Sequence, residues 1–268
     1  ATAAAGGVLK FESKAELTRW AREAEALWLF LDYDGTLADF APTPDHIEPN
    51  PEIIHLIEQL ACRPSTRVTI LSGRRLHHVR QLLPVESIFL AGTYGIELFT
   101  PAEGIIQRVE YSVIRPVLEA VKPQWEALIE GRHGFFLEDK GWTLAIHARF
   151  AQEEEAEQVL KRAIETLDQF SLSDDFNVLT GHKFLEIAPG LARKREAVTH
   201  LLDRYPLPRA HLLYIGDDDK DEDAFPVIQD HNGVTVKVRQ PSQRALPTRA
   251  DFCFEAPEDT LRWLEELL

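Results

Sequence analysis

Short apolar runs alternate along this chain with segments of helical periodicity. Ala26–Leu31 is apolar throughout and has no polar face, which is typical of a strand covered on both sides of a parallel sheet. Further strands are predicted at 67–71, 87–91, 211–215, 234–238 and 252–254. Helices are predicted between them at about 51–61, 74–83, 194–203 and 222–229, and from about 258. Strands that alternate with helices indicate βαβ units, so we predict an α/β fold built on a Rossmann-like parallel sheet.

The pattern changes between residues 109 and 188. A long helix is followed by two short strands joined at 139–141, then by a second helix and two strands joined at 180–182. Tight turns between strands indicate antiparallel hairpins, so the order is αββαββ. We therefore predict an inserted α+β domain at 109–188, within a parallel-sheet domain formed by 1–108 and 189–268.

Charge and composition argue against several kinds of partner. The formal net charge of −15 opposes binding to nucleic acid or to an anionic membrane surface, and we expect neither. Two cysteines are too few for a disulfide framework or a zinc site. Ala1–Gly7 does not look like a secretion signal, and no apolar run is long enough to span a bilayer, so we expect a cytoplasmic protein. The composition predicts no oligomeric state.

Carboxylates follow two of the predicted strands directly. Asp32 and Asp34 come after the 26–31 strand, and an acidic run at 217–223 comes after the 211–215 strand. Ligands of open α/β sheets lie beyond the carboxyl ends of the strands. Several negative charges so close together are unfavourable unless a cation is bound. A set of ligands that are all oxygens favours Mg²⁺ before Ca²⁺.

Structural roles and a calcium loop are the alternatives to a catalytic role for these acidic residues. Asp34-Gly35 supplies turn geometry by itself, and acidic residues favour helix N-termini, so either group has a purely structural interpretation. An EF-hand is excluded because the positions that require Gly and Glu hold Glu222 and Ile228.

Two further segments suggest phosphate binding. Ser72-Gly73-Arg74 follows the 67–71 strand at a predicted helix start, where backbone N–H groups favour an anion. Lys194 opens another predicted helix, a position that the helix dipole disfavours for a cation. No ATP-binding P-loop sequence is present.

Together these segments resemble a known family. Asp32–Leu37, Ser72–Arg74, Lys194 and Gly216–Asp218 are similar, in order, to the four motifs of the haloacid-dehalogenase (HAD) phosphatases. The αββαββ insertion resembles the cap of their sugar-phosphatase branch. Within that branch the chain is most similar to the trehalose-6-phosphate phosphatases, through residues 32–37, 138–141, 147–149, 183–186 and 216–225.

The chain departs from that family at three positions. Arg195 stands where Gly is usual, Lys220 where Thr or Ser is usual, and Tyr94 where His is frequent. These differences leave the phosphoryl chemistry intact and bear on the choice of sugar.

The resemblance implies Mg²⁺-dependent hydrolysis of trehalose 6-phosphate, a small-molecule partner, through an aspartyl-phosphate. Asp32 is then the nucleophile and Asp34 the general acid and base. The implied phosphate-binding residues are Thr36, Ser72, Gly73, Arg74 and Lys194. The implied metal ligands are Asp32, Asp34 and Asp217, with Asp218 and Asp221 as outer or alternative ligands. The implied sugar contacts in the cap are Lys140, Arg149, Lys183 and Glu186.

Other functions stay open at this point. Tyr94 and Arg195 motivate a phosphatase for another glycosyl phosphate, such as glucosylglycerol phosphate or mannosylglycerate phosphate, or for sugar phosphates broadly. A phosphomutase would use the same Asp pair. A non-catalytic sugar-phosphate-binding regulator is a hypothesis of another class, and the presence of Asp32, Asp34 and Asp217 argues against it.

Overall fold

The computed structural model describes residues 11–41, 46, 48–170, 172 and 174–268. The chain forms two compact units. The core unit comprises the described residues up to Ile106 together with Arg193–Leu268, and the insert unit comprises Gln107–Ala192. The segment Ala1–Gly7 lies outside the described residues.

The described residues form strands and helices in the alternating order expected of an α/β protein. The strands are β1 (Ala26–Asp32), β2 (Thr66–Leu71), β3 (Phe89–Gly92), β4 (Glu97–Thr100), β5 (Gly104–Gln107), β6 (Phe136–Asp139), β7 (Leu144–His147), β8 (Phe176–Gly181), β9 (Phe184–Pro189), β10 (Ala210–Gly216), β11 (Val234–Val238) and β12 (Phe252–Phe254). The helices are α1 (Lys14–Arg22), α2 (Pro51–Cys62), α3 (Leu76–Leu82), α4 (Tyr111–Ile129), α5 (Glu153–Leu167), α6 (Lys194–Arg204), α7 (Asp219–Asp230) and α8 (Pro257–Glu265).

The core unit is built on one sheet with the order β12-β11-β10-β1-β2-β3-β4-β5. The strands from β12 to β3 run parallel, and β4 pairs antiparallel with β3. β1 pairs with β10 on one side and with β2 on the other. The carboxyl ends of these three strands therefore lie side by side, at the edge where Asp32, Ser72 and Asp217 follow.

β1 divides the hydrophobic core of this unit into two layers. All of its residues are buried. Leu29 and its alternate neighbours pack with α1, α2, α3 and α8, while Trp28 and Phe30 pack with α6 and α7. Successive side chains of a strand point to opposite faces, so a strand buried on both faces needs an uninterrupted apolar run. This packing explains the Ala26–Leu31 sequence and fixes the strand end that carries Asp32.

The insert unit is an antiparallel sheet with two helices in the order αββαββ. Its strand order is β6-β7-β9-β8. The buried indole of Trp125 on α4 donates to the Ala163 carbonyl of α5 at 3.1 Å and joins the two helices. Among the described helices, none combines the length and the apolar character that crossing a bilayer requires. The predicted fold class, a parallel α/β core with an α+β insertion, is confirmed.

The structure differs from the sequence prediction at β4 and β5 and at the starts of α3 and α7. β4 and β5 were not predicted, because strands of four residues are too short to display a clear alternation. α3 begins at Leu76 rather than near Arg74, so Ser72–Arg75 is a loop. α7 begins at Asp219 rather than near Glu222, because Asp218 caps its N-terminus.

The two-layer core predicts a large effect for truncation of β1. Leu29→Ala removes a fully buried side chain and should lower the free energy of unfolding by about 2–5 kcal/mol. Leu246→Ala is the control, because Leu246 is 59% exposed, and it should change that energy by less than about 0.5 kcal/mol. Urea unfolding of both variants measures the difference, and equal effects would contradict the described packing.

Candidate active site

Three carboxylates from separate elements meet at the sheet edge. Asp32 ends β1, Asp217 follows β10, and Asp221 lies in the first turn of α7. Their side chains are buried, with exposures of 5%, 3% and 0%. One oxygen from each lies within 4.8 Å of the others, which is a spacing that a metal ion can bridge.

Lys194 is the cation that neutralises part of this cluster. Its Nζ lies 2.9 Å from Oδ1 of Asp32 and 2.7 Å from Oδ1 of Asp221, and the side chain is almost fully buried. Burial alone lowers the pKa of Lys194, but the carboxylates of Asp221 and Asp32 outweigh it and raise that pKa well above its usual value. The ammonium therefore stays charged and ties β1 to α7.

Asp221 has its hydrogen-bonding capacity filled by the protein. Oδ1 accepts from Lys194 and from the Tyr214 hydroxyl at 2.6 Å. Oδ2 accepts from the backbone N–H groups of Asp217 and Asp218 at 2.9 and 3.2 Å. A carboxylate offers about four acceptor positions. Asp221 is thus better suited to orienting Lys194 and the end of β10 than to binding a metal directly.

Asp217 is the carboxylate with the least compensation. Among the described residues, no Lys or Arg side chain forms an ion pair with it. Burial, followed by the negative charge of Asp32, raises the pKa of Asp217 well above its usual value. Three buried carboxylates against one ammonium leave a surplus of negative charge, which suits a bound cation. The donors are all oxygens, so the site fits a hard metal ion.

Asp34 and Arg74 form a separate pair beside this cluster. Nε and Nη2 of Arg74 lie 2.6 and 2.8 Å from the two oxygens of Asp34, a bidentate arrangement. Arg74 Nη1 also donates to the His46 carbonyl at 3.0 Å. Arg74, the predicted phosphate-binding arginine, therefore forms an ion pair with Asp34, the predicted general acid.

Thr36 and Gly35 belong to the turn that follows β1. The Thr36 hydroxyl lies 3.3 Å from Asp32 Oδ2 and 3.4 Å from Asp217 Oδ1. Gly35 has a φ of 81°, and a Cβ at this position would collide with the Asp217 carboxylate. Asp34-Gly35 therefore does form a turn, and this turn also places the backbone in contact with the buried Asp217 carboxylate.

The predicted phosphate loop lies at the end of β2. Ser72 is buried, and its hydroxyl accepts from the Arg74 backbone N–H at 3.0 Å. Gly73 lies between them. Because α3 begins only at Leu76, these residues present loop backbone rather than the first turn of a helix.

Asp218 does not belong to the buried carboxylate cluster of Asp32, Asp217 and Asp221. Its side chain accepts from the backbone N–H groups of Lys220 and Asp221 and forms a capping box at the start of α7. Its position in the acidic run is therefore explained by helix capping.

Two of the predicted sugar-contact residues meet on one face of the insert sheet. Lys140 Nζ lies 2.8 Å from Oε1 of the fully buried Glu186, which also accepts from the Thr143 hydroxyl at 2.6 Å. Glu138 and His147 extend this network, with their side chains 2.9 Å apart. By the strand register, Glu138 and Glu186 point to the same face of the sheet.

Lys183 and Arg149 are not part of this network. Lys183 precedes β9 in a left-handed conformation, and its ammonium donates to the Ala151 carbonyl at 2.7 Å and pairs with Glu153. Arg149 is exposed, with its guanidinium 5.7 Å from the Phe150 ring.

Sequence reasoning overlooked several members of these networks. Tyr214 could have been found, because a hydroxyl within the buried run Leu212–Ile215 needs a hydrogen-bond partner. Glu138 and His147 lie in the segments 138–141 and 147–149 that carry the family resemblance, although neither was predicted as a sugar contact. Thr143 gave no comparable signal.

Comparisons with known proteins agree with this geometry. Residues 30–258 match the family described as trehalose-phosphatase. The chain is 31% identical to the trehalose-phosphate phosphatase of Mycobacterium marinum over 85% of this chain and 58% of that protein. The chain thus spans less than two thirds of this relative's length.

Solved structures share the fold. The C-terminal domain of Candida albicans trehalose-6-phosphate phosphatase superposes with a TM-score of 0.83 at 20% identity, over 95% of this chain and 96% of that one. The C-terminal domain of a Candida albicans trehalose synthase regulatory protein gives 0.78 at 14% identity, over 97% and 99% of the two chains. With the family match over most of its length, the chain belongs to the trehalose-phosphatase family of the HAD superfamily.

Proposed function

We propose that this protein hydrolyses trehalose 6-phosphate to trehalose and inorganic phosphate through a phosphorylated Asp32. The observation that carries the proposal is the pairing of buried Asp32 with Lys194 beside the uncompensated carboxylate of Asp217. A carboxylate that Lys194 holds in one orientation at a strand end is suited to attack on phosphorus. Membership of the trehalose-phosphatase family supports the choice of substrate.

Asp32 and Asp34 divide the chemistry in this proposal. An oxygen of Asp32 forms a bond to phosphorus while the bond from phosphorus to the sugar oxygen breaks. Asp34 donates a proton to the departing oxygen and later accepts one from the water that cleaves the aspartyl-phosphate. Lys194 holds Asp32 in position, and Lys194, Thr36 and the Ser72–Arg74 loop hold the phosphoryl oxygens.

The pair of Asp34 and Arg74 has a consequence for this cycle. Both oxygens of the Asp34 carboxylate accept hydrogen bonds from the Arg74 guanidinium and are occupied by them. Substrate phosphate would compete for Arg74 and release Asp34 for proton transfer. Arg74 would thus bind Asp34 in the free enzyme and the substrate phosphate in the complex.

Asp32, Asp217 and the Asp34 backbone carbonyl are the groups that we propose to hold Mg²⁺. Asp221 is filled by protein donors, and Asp218 caps α7. A bound Mg²⁺ supplies positive charge that offsets the negative charge of the transferring phosphoryl group.

Substrate selection is proposed to come from the polar face of the insert sheet. Lys140 and Glu186 are joined in a network that presents both donors and acceptors, as recognition of sugar hydroxyls requires. Glu138, Thr143 and His147 belong to the same network and are added to the candidate set. Arg149 and Lys183 remain candidates from the sequence alone.

A regulatory function is the second candidate. The observation that favours it is the fold shared with the trehalose synthase regulatory protein domain. The intact cluster of Asp32, Asp217 and Lys194 favours catalysis instead. Another glycosyl phosphate is the alternative substrate within the enzyme hypothesis.

The choice of substrate is tested by phosphate release from a panel of sugar phosphates and from p-nitrophenyl phosphate. Trehalose 6-phosphate should give the highest kcat/KM. Lys140→Ala should lower that value at least about tenfold, because it removes a charged hydrogen-bond donor, and should leave p-nitrophenyl phosphate hydrolysis unchanged. Lys161→Ala, an exposed lysine of α5, is the control. A higher kcat/KM for another glycosyl phosphate would overturn the substrate, and sugar-phosphate binding without phosphate release would favour the regulator.

The metal site is tested by the thermal stability of Asp217→Asn. The raised pKa means that ionised Asp217 is disfavoured more in the folded than in the unfolded state, so its contribution to stability falls as pH rises above the usual carboxyl range. Without Mg²⁺ at neutral pH, the variant should therefore unfold at the same or a higher temperature than the wild type. Its Tm should no longer rise with added Mg²⁺. Asp230→Asn, at the exposed C-terminal end of α7, should keep the rise in Tm. A retained Mg²⁺ effect in Asp217→Asn would exclude Asp217 as a ligand.

A further inference from the structure

A strained turn lies directly beside the predicted phosphate loop. Thr93 and Tyr94 are consecutive residues with φ of 47° and 54°, in the left-handed region that favours glycine. Both are buried, and Thr93 is β-branched, which makes this conformation especially unfavourable. Buried residues held in such conformations cluster at functional sites, where the surrounding structure enforces them.

Backbone hydrogen bonds join this turn to the loop. The Ser72 N–H donates to the Ala91 carbonyl, and the Tyr94 N–H donates to the Ser72 carbonyl, both at 2.9 Å. The Thr93 N–H donates to the Arg74 carbonyl at 2.7 Å. The path of the loop at 72–74 is therefore set by the left-handed turn.

Side-chain packing makes the same connection. A Cβ added to Gly73 would lie 2.6 Å from the Tyr94 ring, so only glycine permits this approach. The Lys220 ammonium of α7 lies 5.9 Å from the centroid of the Tyr94 ring. Tyr94 thus packs against the loop and lies near a side chain of the helix that carries Asp221.

Glu97 on β4 secures the turn. Its Oε2 accepts from the Thr93 hydroxyl and from the Leu76 N–H, both at 3.0 Å. Leu76 is the first residue of α3, whose N-cap, Arg75, makes no side-chain capping bond. One oxygen of Glu97 therefore hydrogen-bonds both to the strained turn, at Thr93, and to Leu76, the residue that follows the loop.

We propose that Thr93 and Glu97 are positioning residues for the Ser72–Arg74 loop. Their hydrogen bond holds the left-handed turn, and the turn holds the loop backbone in the conformation that binds a phosphoryl group. This inference rests on the proposed function only in taking that loop as the phosphate site.

The test compares stability with the affinity for inorganic phosphate, measured by calorimetry with Mg²⁺ present. Thr93→Gly relieves the left-handed strain but removes the hydroxyl. It should keep or raise the Tm while weakening phosphate binding about tenfold, because the Glu97 contact is lost. Glu97→Met removes both hydrogen bonds and should weaken binding at least as much. Thr93→Ser and Glu97→Gln retain an oxygen in place and should restore affinity to within about threefold of the wild type.

Thr100→Val is the matched control. Thr100 is a buried threonine of β4 whose hydroxyl accepts from the Glu103 N–H at 3.1 Å. Its loss should lower the Tm without weakening phosphate binding. For hydrolysis of p-nitrophenyl phosphate, the variants that bind phosphate more weakly should also have a higher KM and a lower kcat. The change in KM should be the larger of the two.

Phosphate affinity equal to that of the wild type in Thr93→Gly and Glu97→Met would overturn the positioning role. A phosphate affinity that falls in proportion to the Tm across all the variants, Thr100→Val included, would also overturn it. A wild-type protein that binds no phosphate would also overturn it. Phosphate binding without hydrolysis of trehalose 6-phosphate would contradict only the proposed function. If Glu97→Met does not fold, Thr93→Gly and Thr93→Ser still decide the question.

Discussion

The contact of Lys194 with Asp32 and Asp221 is the interaction on which the candidate site depends. Two carboxylates from different elements are buried within 3 Å of one ammonium. Removing one partner of a buried ion pair leaves an uncompensated charge, so each member requires the others. Asp221 in turn holds the backbone that leads to Asp217. The lysine therefore fixes the ends of β1 and β10 and the start of α7 relative to one another.

The charge surplus in the same place gives the site its chemistry. Lys194 compensates Asp32 and Asp221 but forms no ion pair with Asp217. A purely structural cluster of this kind would be unfavourable, so turn geometry and helix capping do not account for all of the acidic residues. They do account for Gly35 and for Asp218. For the remaining acids of the cluster we propose separate roles: Asp32 attacks phosphorus, Asp217 holds Mg²⁺ and Asp221 orients Lys194.

The sequence predicted the fold class because β1 is buried on both faces and its apolar run is uninterrupted. It also placed Asp32, Ser72 and Asp217 each at the end of a predicted strand, and the parallel pairing of β10, β1 and β2 brings these ends to one sheet edge. The pairing of Arg74 with Asp34 was not predictable, because it depends on side-chain directions in two separate loops. β4 was missed for its short length, and with it the role of Glu97. The burial of Glu186 likewise depends on sheet register rather than local pattern.

The proposed nucleophilic role of Asp32 is tested by phosphate release from trehalose 6-phosphate with Mg²⁺ present. Wild type should release phosphate, and a peptide containing Asp32 should carry covalent phosphate after rapid quenching. Asp32→Asn should form no phosphorylated peptide and retain at most about 1% of the activity, because the attacking carboxylate is lost. Substantial phosphate release by the folded variant would contradict the account.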